Sequence, residues 1–219
     1  MYHSPRGFSL QSQHVNVAGP ATLPPHTAGM TIGLFGGSFN PPHQGHRLVS
    51  LTALRRLRLD RVWWLVTPGN PLKQNADLPS MAERTRAAQR IAAHPRIQVT
   101  GIEAAIGTRF THDTLTYLQR RCPGVAFVWI MGADNLEGFH RWQRWREIAA
   151  MLPIAIVDRP GATLRAAHAR AGEYLARWRY DESDASILAR AKPPAFIFLH
   201  GPRSELSSTA LRKAGRKVI

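Results

Sequence analysis

Two histidines three residues apart, His43 and His46, close the string Gly36-Gly37-Ser38-Phe39-Asn40-Pro41-Pro42-His43-Gln44-Gly45-His46. Imidazoles at that spacing can meet at a helix entrance, where free backbone N–H groups and the macrodipole draw anions. Two such donors suit a phosphate whose negative charge grows during displacement at phosphorus. Gly36 and Gly37 have no Cβ, so a phosphate can approach their backbone closely; Ser38 and Phe39 continue the same loop. The pair of imidazoles could also ligate a metal, but no third His, Cys or carboxylate stands nearby to complete a tetrahedral site.

A second string, Leu206-Ser207-Ser208-Thr209-Ala210-Leu211-Arg212, lies near the other end of the chain. Ser207 is a good N-cap, Ser208 and Thr209 add hydroxyls beside free N–H groups, and Arg212 can reach phosphate oxygens at that helix end. Taken alone it reads first as an ordinary capped helix with a surface arginine. Between the two strings, Thr67–Lys73 (TPGNPLK) ends in Lys73, either a phosphate ligand or a solvated lysine after a turn. Asp134 of Gly132-Ala133-Asp134 is either a neighbour of a nucleotide or the cap of the next segment. In Phe139–Trp145, Trp142 offers a flat ring for stacking, although Trp142 and Trp145 are spaced like packing residues of a helix, Trp145 the more so.

These residues need a scaffold, and the chain alternates in a way that supplies one. Apolar runs at Thr31–Phe35, Arg61–Val66, Arg96–Val99, Val125–Met131, Pro153–Val157 and Ala195–Leu199 predict buried strands. Helical patterns lie between them: His46–Leu59 (Leu48, Leu51, Leu54, Leu57), Pro79–Ala93 with a Ser80/Glu83 capping box, Thr111–Arg121, Arg141–Met151 and a closing Ser207–Lys217. Residues 158–194 are poorly patterned, with a helix near Leu164–Trp178 at most. Uniformly apolar strands separated by amphipathic helices imply an α/β fold, a parallel sheet with helices on both faces. Ligands of such sheets sit beyond the carboxyl ends of the strands, and the strings above follow strands.

Composition bounds the rest. The 219 residues are 44% hydrophobic and 20% charged, which suits one globular domain. Residues 1–29, rich in Ser, His, Gln, Pro and Gly, read as a flexible extension ahead of a domain over 30–219, not as a signal peptide. Cys122 alone excludes an internal disulfide and fits a reducing cytoplasm. No apolar run approaches the roughly 20 residues of a membrane span. The formal charge of +15 calls for an anionic partner, but the basic residues are scattered rather than blocked as in nucleic-acid-binding tails.

The string GGSFNPPHQGH resembles the phosphate-binding motif of the nucleotidylyltransferase superfamily, whose core is HxGH, in the GGxFxPxHxGH form of bacterial nicotinate-nucleotide adenylyltransferases. LSSTALR is similar to that superfamily's ISSTxIR, with Leu206 and Leu211 in place of Ile. The resemblance implies a Rossmann-like doubly wound sheet and adenylyl transfer from ATP to nicotinate mononucleotide. It implies His43, His46 and Arg212 as catalytic groups, and Gly36, Gly37, Ser38, Phe39, Lys73, Gly132, Asp134, Ser207, Ser208 and Thr209 as ATP and phosphate contacts. It aligns Trp142 with a ring that stacks on the pyridine, and Thr111 with a position whose backbone holds the nicotinate carboxylate. Mg²⁺ is expected with ATP and no protein-held metal is. Asn40 stands where Asp is common and is given no catalytic role. The rival readings are the same chemistry on nicotinamide mononucleotide or phosphopantetheine and, from another class, a basic nucleic-acid-binding module. A homo-oligomer is left open.

Overall fold

The computed structural model describes residues 22–69, 78–158, 163–201, 206, 208–213 and 215. Six strands form one sheet: β1 (Thr31–Gly37), β2 (Arg61–Val66), β3 (Ile97–Thr100), β4 (Ala126–Gly132), β5 (Ile154–Val157) and β6 (Phe196–Leu199). Their order is β3-β2-β1-β4-β5-β6 and every neighbouring pair is parallel. Parallel neighbours require crossovers. Helices supply them: α1 (Gln44–Arg56), α2 (Met81–Ala92), α3 (Ile102–Ala105), α4 (Thr111–Arg121), α5 (Ala133–Phe139) and α6 (Trp145–Met151). Beyond β5 come α7 (Thr163–Ala167), α8 (Arg170–Leu175) and 3₁₀ segments at Ala176–Trp178 and Glu182–Arg190, and beyond β6 comes α9 (Ser208–Lys213). The chain steps outward from β1 to β3 and returns on the other side of β1 as β4, so the carboxyl ends of β1 and β4 flank the switch point of a doubly wound sheet.

Strand side chains alternate between faces, and both faces are covered. Phe35, Val62, Trp64, Val128 and Ile130 meet Val49, Leu54 and Leu57 of the α1 region and Ala88 of α2. Ile32, Leu34, Trp63, Leu65, Phe127 and Trp129 meet Leu115, Leu118, Leu136, Phe139 and Ile148. The adjacent Trp63 and Trp64 therefore point to opposite sides. Each of these two indoles finds an acceptor, Trp63 Nε1–H at Gln98 Oε1 (3.1 Å) and Trp64 Nε1–H at Ser50 Oγ (2.7 Å), which removes the cost of burying that polar group.

The α/β expectation holds, and several boundaries move for local reasons. α1 ends at Arg56, short of the expected Leu59, because Arg58 takes φ +50 and turns the chain toward β2. The helix expected over Arg141–Met151 begins only at Trp145, as α6, because Arg144 at φ +56 turns the chain ahead of it, and a separate helix, α5, begins directly at Ala133, where a turn was expected. The helix near Leu164–Trp178 is in pieces, with Ala169 extended between α7 and α8. Gly172 fits there because an added Cβ would lie 2.3 Å from the Ala166 carbonyl oxygen. The Ser80/Glu83 capping box is present. The boundary at residue 29 needs correction. Residues 22–29 lie against the domain: the His26 ring meets Trp63 edge-on at 5.6 Å, Leu23 packs on the core, and Gly29 N–H donates to Gly124 O (2.8 Å). Among the described residues no helix is long and apolar enough to cross a membrane.

Candidate active site

The first phosphate string forms the end of β1, a tight loop and the entrance of α1. His43 precedes the helix with extended backbone and is buried. Its N–H donates to His46 Nδ1 (3.1 Å), and His46 N–H donates back to His43 O (2.9 Å). The two rings lie 3.8 Å apart between centroids, tilted by 36°. Because Nδ1 of His46 accepts a hydrogen bond, the neutral ring carries its proton on Nε2 and can donate only from there. The first turn of α1 holds no acidic residue, so the positive end of the helix is left uncompensated by its own side chains.

The loop is held by rings rather than by glycine freedom alone. Phe39 takes φ +46, is 1% exposed and stacks on Trp64 at 4.8 Å with 8° between planes, while its ring lies 4.9 Å from that of His46. Phe39 was expected among the phosphate contacts; it lines the cavity described below, and its ring also packs between Trp64 and His46 as an anchor for that loop. Gly36 and Gly37 also have packing reasons. A Cβ on Gly36 would come within 2.8 Å of the Trp129 ring, and one on Gly37 within 3.3 Å of Phe39.

The two distant strings meet. Ser208 Oγ–H donates to Pro41 O (2.9 Å), and Arg212 donates to Asn40 O and to Thr209 Oγ1 (3.3 Å). Ser208, Thr209 and Arg212 line one cavity of about 340 Å³ together with Gly36, Gly37, Ser38, His43 and His46, a size suited to a small-molecule ligand. Lys73 and Ser207 lie outside the described residues.

The far wall of the same cavity is built by β4, α5 and the segments around Thr111 and Trp142. Gly132 is the residue before α5, and Asp134 in its first turn lines the cavity. Trp142 is half-buried there, edge-on to Trp129 (6.0 Å) and Phe139 (5.3 Å), whereas Trp145 is part of the core. Arg144 Nη1 lies 3.3 Å from His112 Nδ1, and His112 Nε2 lies 3.7 Å from Glu147, so the start of α4 is held beside the Trp142 loop. Helix α4 starts at Thr111 with no side-chain cap on its N-terminus, leaving first-turn N–H groups for a ligand anion. Arg109 and Arg141 also line this wall.

Two buried groups escaped the sequence reading. Arg84 of α2 is 2% exposed and donates to Ser38 O (2.9 Å), Thr67 O (2.7 Å), Pro68 O (3.2 Å) and Pro79 O (2.9 Å). It ties the loop after β1 to the loop after β2, and burial pushes its guanidinium below the ordinary arginine range. Its spacing from Ala87, Ala88 and Ala92 on the buried face of α2 was a readable signal. Glu103 of α3 is also 2% exposed and lines the cavity. Burial drives its carboxyl up to about 7, and its contact with the Thr114 hydroxyl acts in the opposite direction. A four-residue helix carries no periodic signature, so nothing in the sequence marked it.

Residues 34–214 match the family model described as cytidylyltransferase-like. A relative from Brucella suis biovar 1 (strain 1330), named "Probable nicotinate-nucleotide adenylyltransferase", is 58% identical over 188 residues, covering 86% of this chain and 97% of that one. One of the same name from Bradyrhizobium sp. (strain ORS 278) is 60% identical over 183 residues, covering 84% and 95%. Among solved structures, Plasmodium falciparum nicotinic acid mononucleotide adenylyltransferase complexed with NaAD superposes with a TM-score of 0.62 at 18% identity, covering 86% of this chain and 83% of that one. At that identity the likeness is one of fold.

Proposed function

Because the chain belongs to the cytidylyltransferase-like family and, within it, to the nicotinate-nucleotide adenylyltransferases, we propose that it joins the AMP unit of ATP to nicotinate mononucleotide, giving nicotinate adenine dinucleotide and pyrophosphate in NAD biosynthesis. The observation that carries this reading is the meeting of the His43/His46 turn with the Ser208–Arg212 turn on one cavity. An oxygen of the acceptor's phosphate attacks the α-phosphorus of ATP in line, the bond to the β-phosphate oxygen breaks, and pyrophosphate leaves. A phosphate monoester has its second pKa at about 6, so the nucleophile is already ionised and needs no general base. Catalysis is positioning plus stabilisation of charge. His46 Nε2–H and the neighbouring His43 hold the α-phosphate, while Arg212, Thr209 and the entrance of α9 steady the departing pyrophosphate. Trp142 stacks on the pyridine, and the first-turn N–H groups of α4 at Thr111 take its carboxylate.

Mg²⁺ belongs to this proposal as part of the substrate. It arrives on the ATP phosphates and needs few protein ligands. The cavity wall offers Asp134 as a carboxylate beside the nucleotide, and among the described residues no cluster of three His, Cys, Asp or Glu side chains gathers. That donor set fits an ion held chiefly by phosphates and water. A cytoplasmic setting follows in the same reading from the single buried thiol of Cys122, and the +15 charge serves anionic small substrates rather than nucleic acid. The test is pyrophosphate release from ATP with nicotinate mononucleotide, nicotinamide mononucleotide and phosphopantetheine offered in turn. Fastest release with the first is expected; preference for either of the others would reassign the acceptor.

A further inference from the structure

Glu103 sits beneath the loop that leads into α4, at the base of the same helix entrance as Thr111. Thr108 N–H donates to the Glu103 backbone carbonyl (3.0 Å), and Glu103 Oε1 lies 3.1 Å from Thr114 Oγ1. That hydroxyl is also 3.2 Å from Phe110 O. It has one proton, and a carbonyl can only accept. Both contacts are satisfied together when Thr114 donates to Phe110 O and Glu103, protonated, donates to Thr114 Oγ1. The remaining carboxyl oxygen, Oε2, is buried and has no hydrogen-bond partner among the described residues, a costly position for half of a carboxylate and a tolerable one for half of a neutral acid. The geometry by itself favours the protonated side chain.

We infer that Glu103 is a specificity-determining residue: as a neutral acid it admits an acceptor that carries a ring carboxylate, and as a carboxylate it excludes that acceptor in favour of the amide. The inference rests on the acceptor reading above. An ionised Glu103 would place a negative charge in the cavity wall, and at the α4 entrance it would itself be the anion that the helix end attracts. A nicotinate ring adds one further negative charge there and a nicotinamide ring adds none, so the penalty falls on the acid. Among the described residues the charged and titratable groups on the surrounding elements are Arg109 on the following loop, His112 and Asp113 on α4, and Asp134 and Arg141 across the cavity. The β2 strand beside α3 turns apolar Trp63 and Leu65 to that side, with Arg61 on the same face at the strand's amino end. Burial, not a charged neighbour, is the main cause that moves the carboxyl.

The experiment measures kcat/KM for nicotinate mononucleotide and for nicotinamide mononucleotide from pH 6 to pH 9, in the native enzyme and in Glu103→Gln. Both acceptors carry the same phosphate and share the same ATP site, so their ratio cancels every other titration common to the two. With a midpoint at about 7, the neutral share falls from roughly nine-tenths at pH 6 to roughly one-tenth at pH 8. The acid-to-amide ratio of the native enzyme is expected to drop by up to about tenfold over that interval, and in Glu103→Gln it should stay level. A level ratio in the native enzyme, or an undiminished drop in the variant, overturns the inference while leaving the acceptor reading intact. No turnover of nicotinate mononucleotide at any pH overturns the acceptor reading and the inference with it. A level native ratio is decisive by itself, whatever the stability of the variant.

Discussion

At the scale of single residues, His46 does two jobs that can be separated. Its Nδ1 takes the His43 N–H and so closes the entrance of α1, while its Nε2–H is the donor that the proposed function assigns to the α-phosphate. His46→Ala should cut turnover by roughly a hundredfold to a thousandfold, the usual effect of removing one donor to developing charge. The lost cap should cost only about 1 kcal/mol in denaturant unfolding. His46→Asn, whose amide oxygen can still accept the His43 N–H, should recover the stability and little of the turnover. Near-normal turnover in His46→Ala would remove the residue from the chemistry. Glu103 gives a second residue-scale expectation, in stability rather than rate. Its carboxyl stands at about 7 in the fold against 4.5 when free, so the folded state favours the proton. That contribution is complete below pH 4.5 and disappears as pH rises through about 7, on the order of 3 kcal/mol in all. Urea unfolding should therefore show Glu103→Gln gaining on the native protein between pH 5 and pH 8. An advantage independent of pH would contradict the assignment.

At the scale of elements, the site is assembled by tying loops to one another, and Arg84 is the chief tie. Replacing it with Met leaves the Ser38, Thr67, Pro68 and Pro79 carbonyls without their donor. Each such loss costs about 1–3 kcal/mol when the group stays buried, so Arg84→Met should lower stability by several kcal/mol. Arg84→Lys, with a point charge in place of a planar fork, should restore a part of that. Because the guanidinium sets the loops after β1 and β2 together, turnover in Arg84→Lys should fall further than the stability loss alone explains. A stable variant with native turnover would show that the loops hold their places without it. The elements themselves were largely legible: β2 and α4 have the bounds that their apolar periods indicate, and the Ser80/Glu83 box starts α2 where its residues say it should. The divided helices between β4 and β6 were not legible, because their breaks at Arg144 and Ala169 occur at residues with no helix-breaking chemistry of their own.

For the whole molecule, the formal charge of +15 acts on encounter rather than on fold. Raising salt from about 0.05 to 0.5 M shortens the screening length several-fold, so KM for ATP should rise with salt while kcat changes little. A KM flat across that range would mean that the local cavity groups, not the global field, govern capture. The same sheet that buries Trp63 and Trp64 on opposite faces brings the carboxyl ends of β1 and β4 to a shared crevice. The field therefore draws anions to a place that the strand order, not the charge, defines.

The sequence by itself determined the α/β alternation and the two phosphate turns, because apolar period and local chemistry are properties of neighbouring residues. Through the family resemblance it also pointed to Trp142 and Thr111 as nicotinate contacts, and both line the cavity. Only the tertiary structure decided that the Ser208–Arg212 turn closes on Asn40 and Pro41, that Phe39 serves as an anchor, and that Arg84 and Glu103 stand buried against the site. Those facts depend on which surfaces the sheet order brings together, and burial is a property that no residue has until the chain around it is folded.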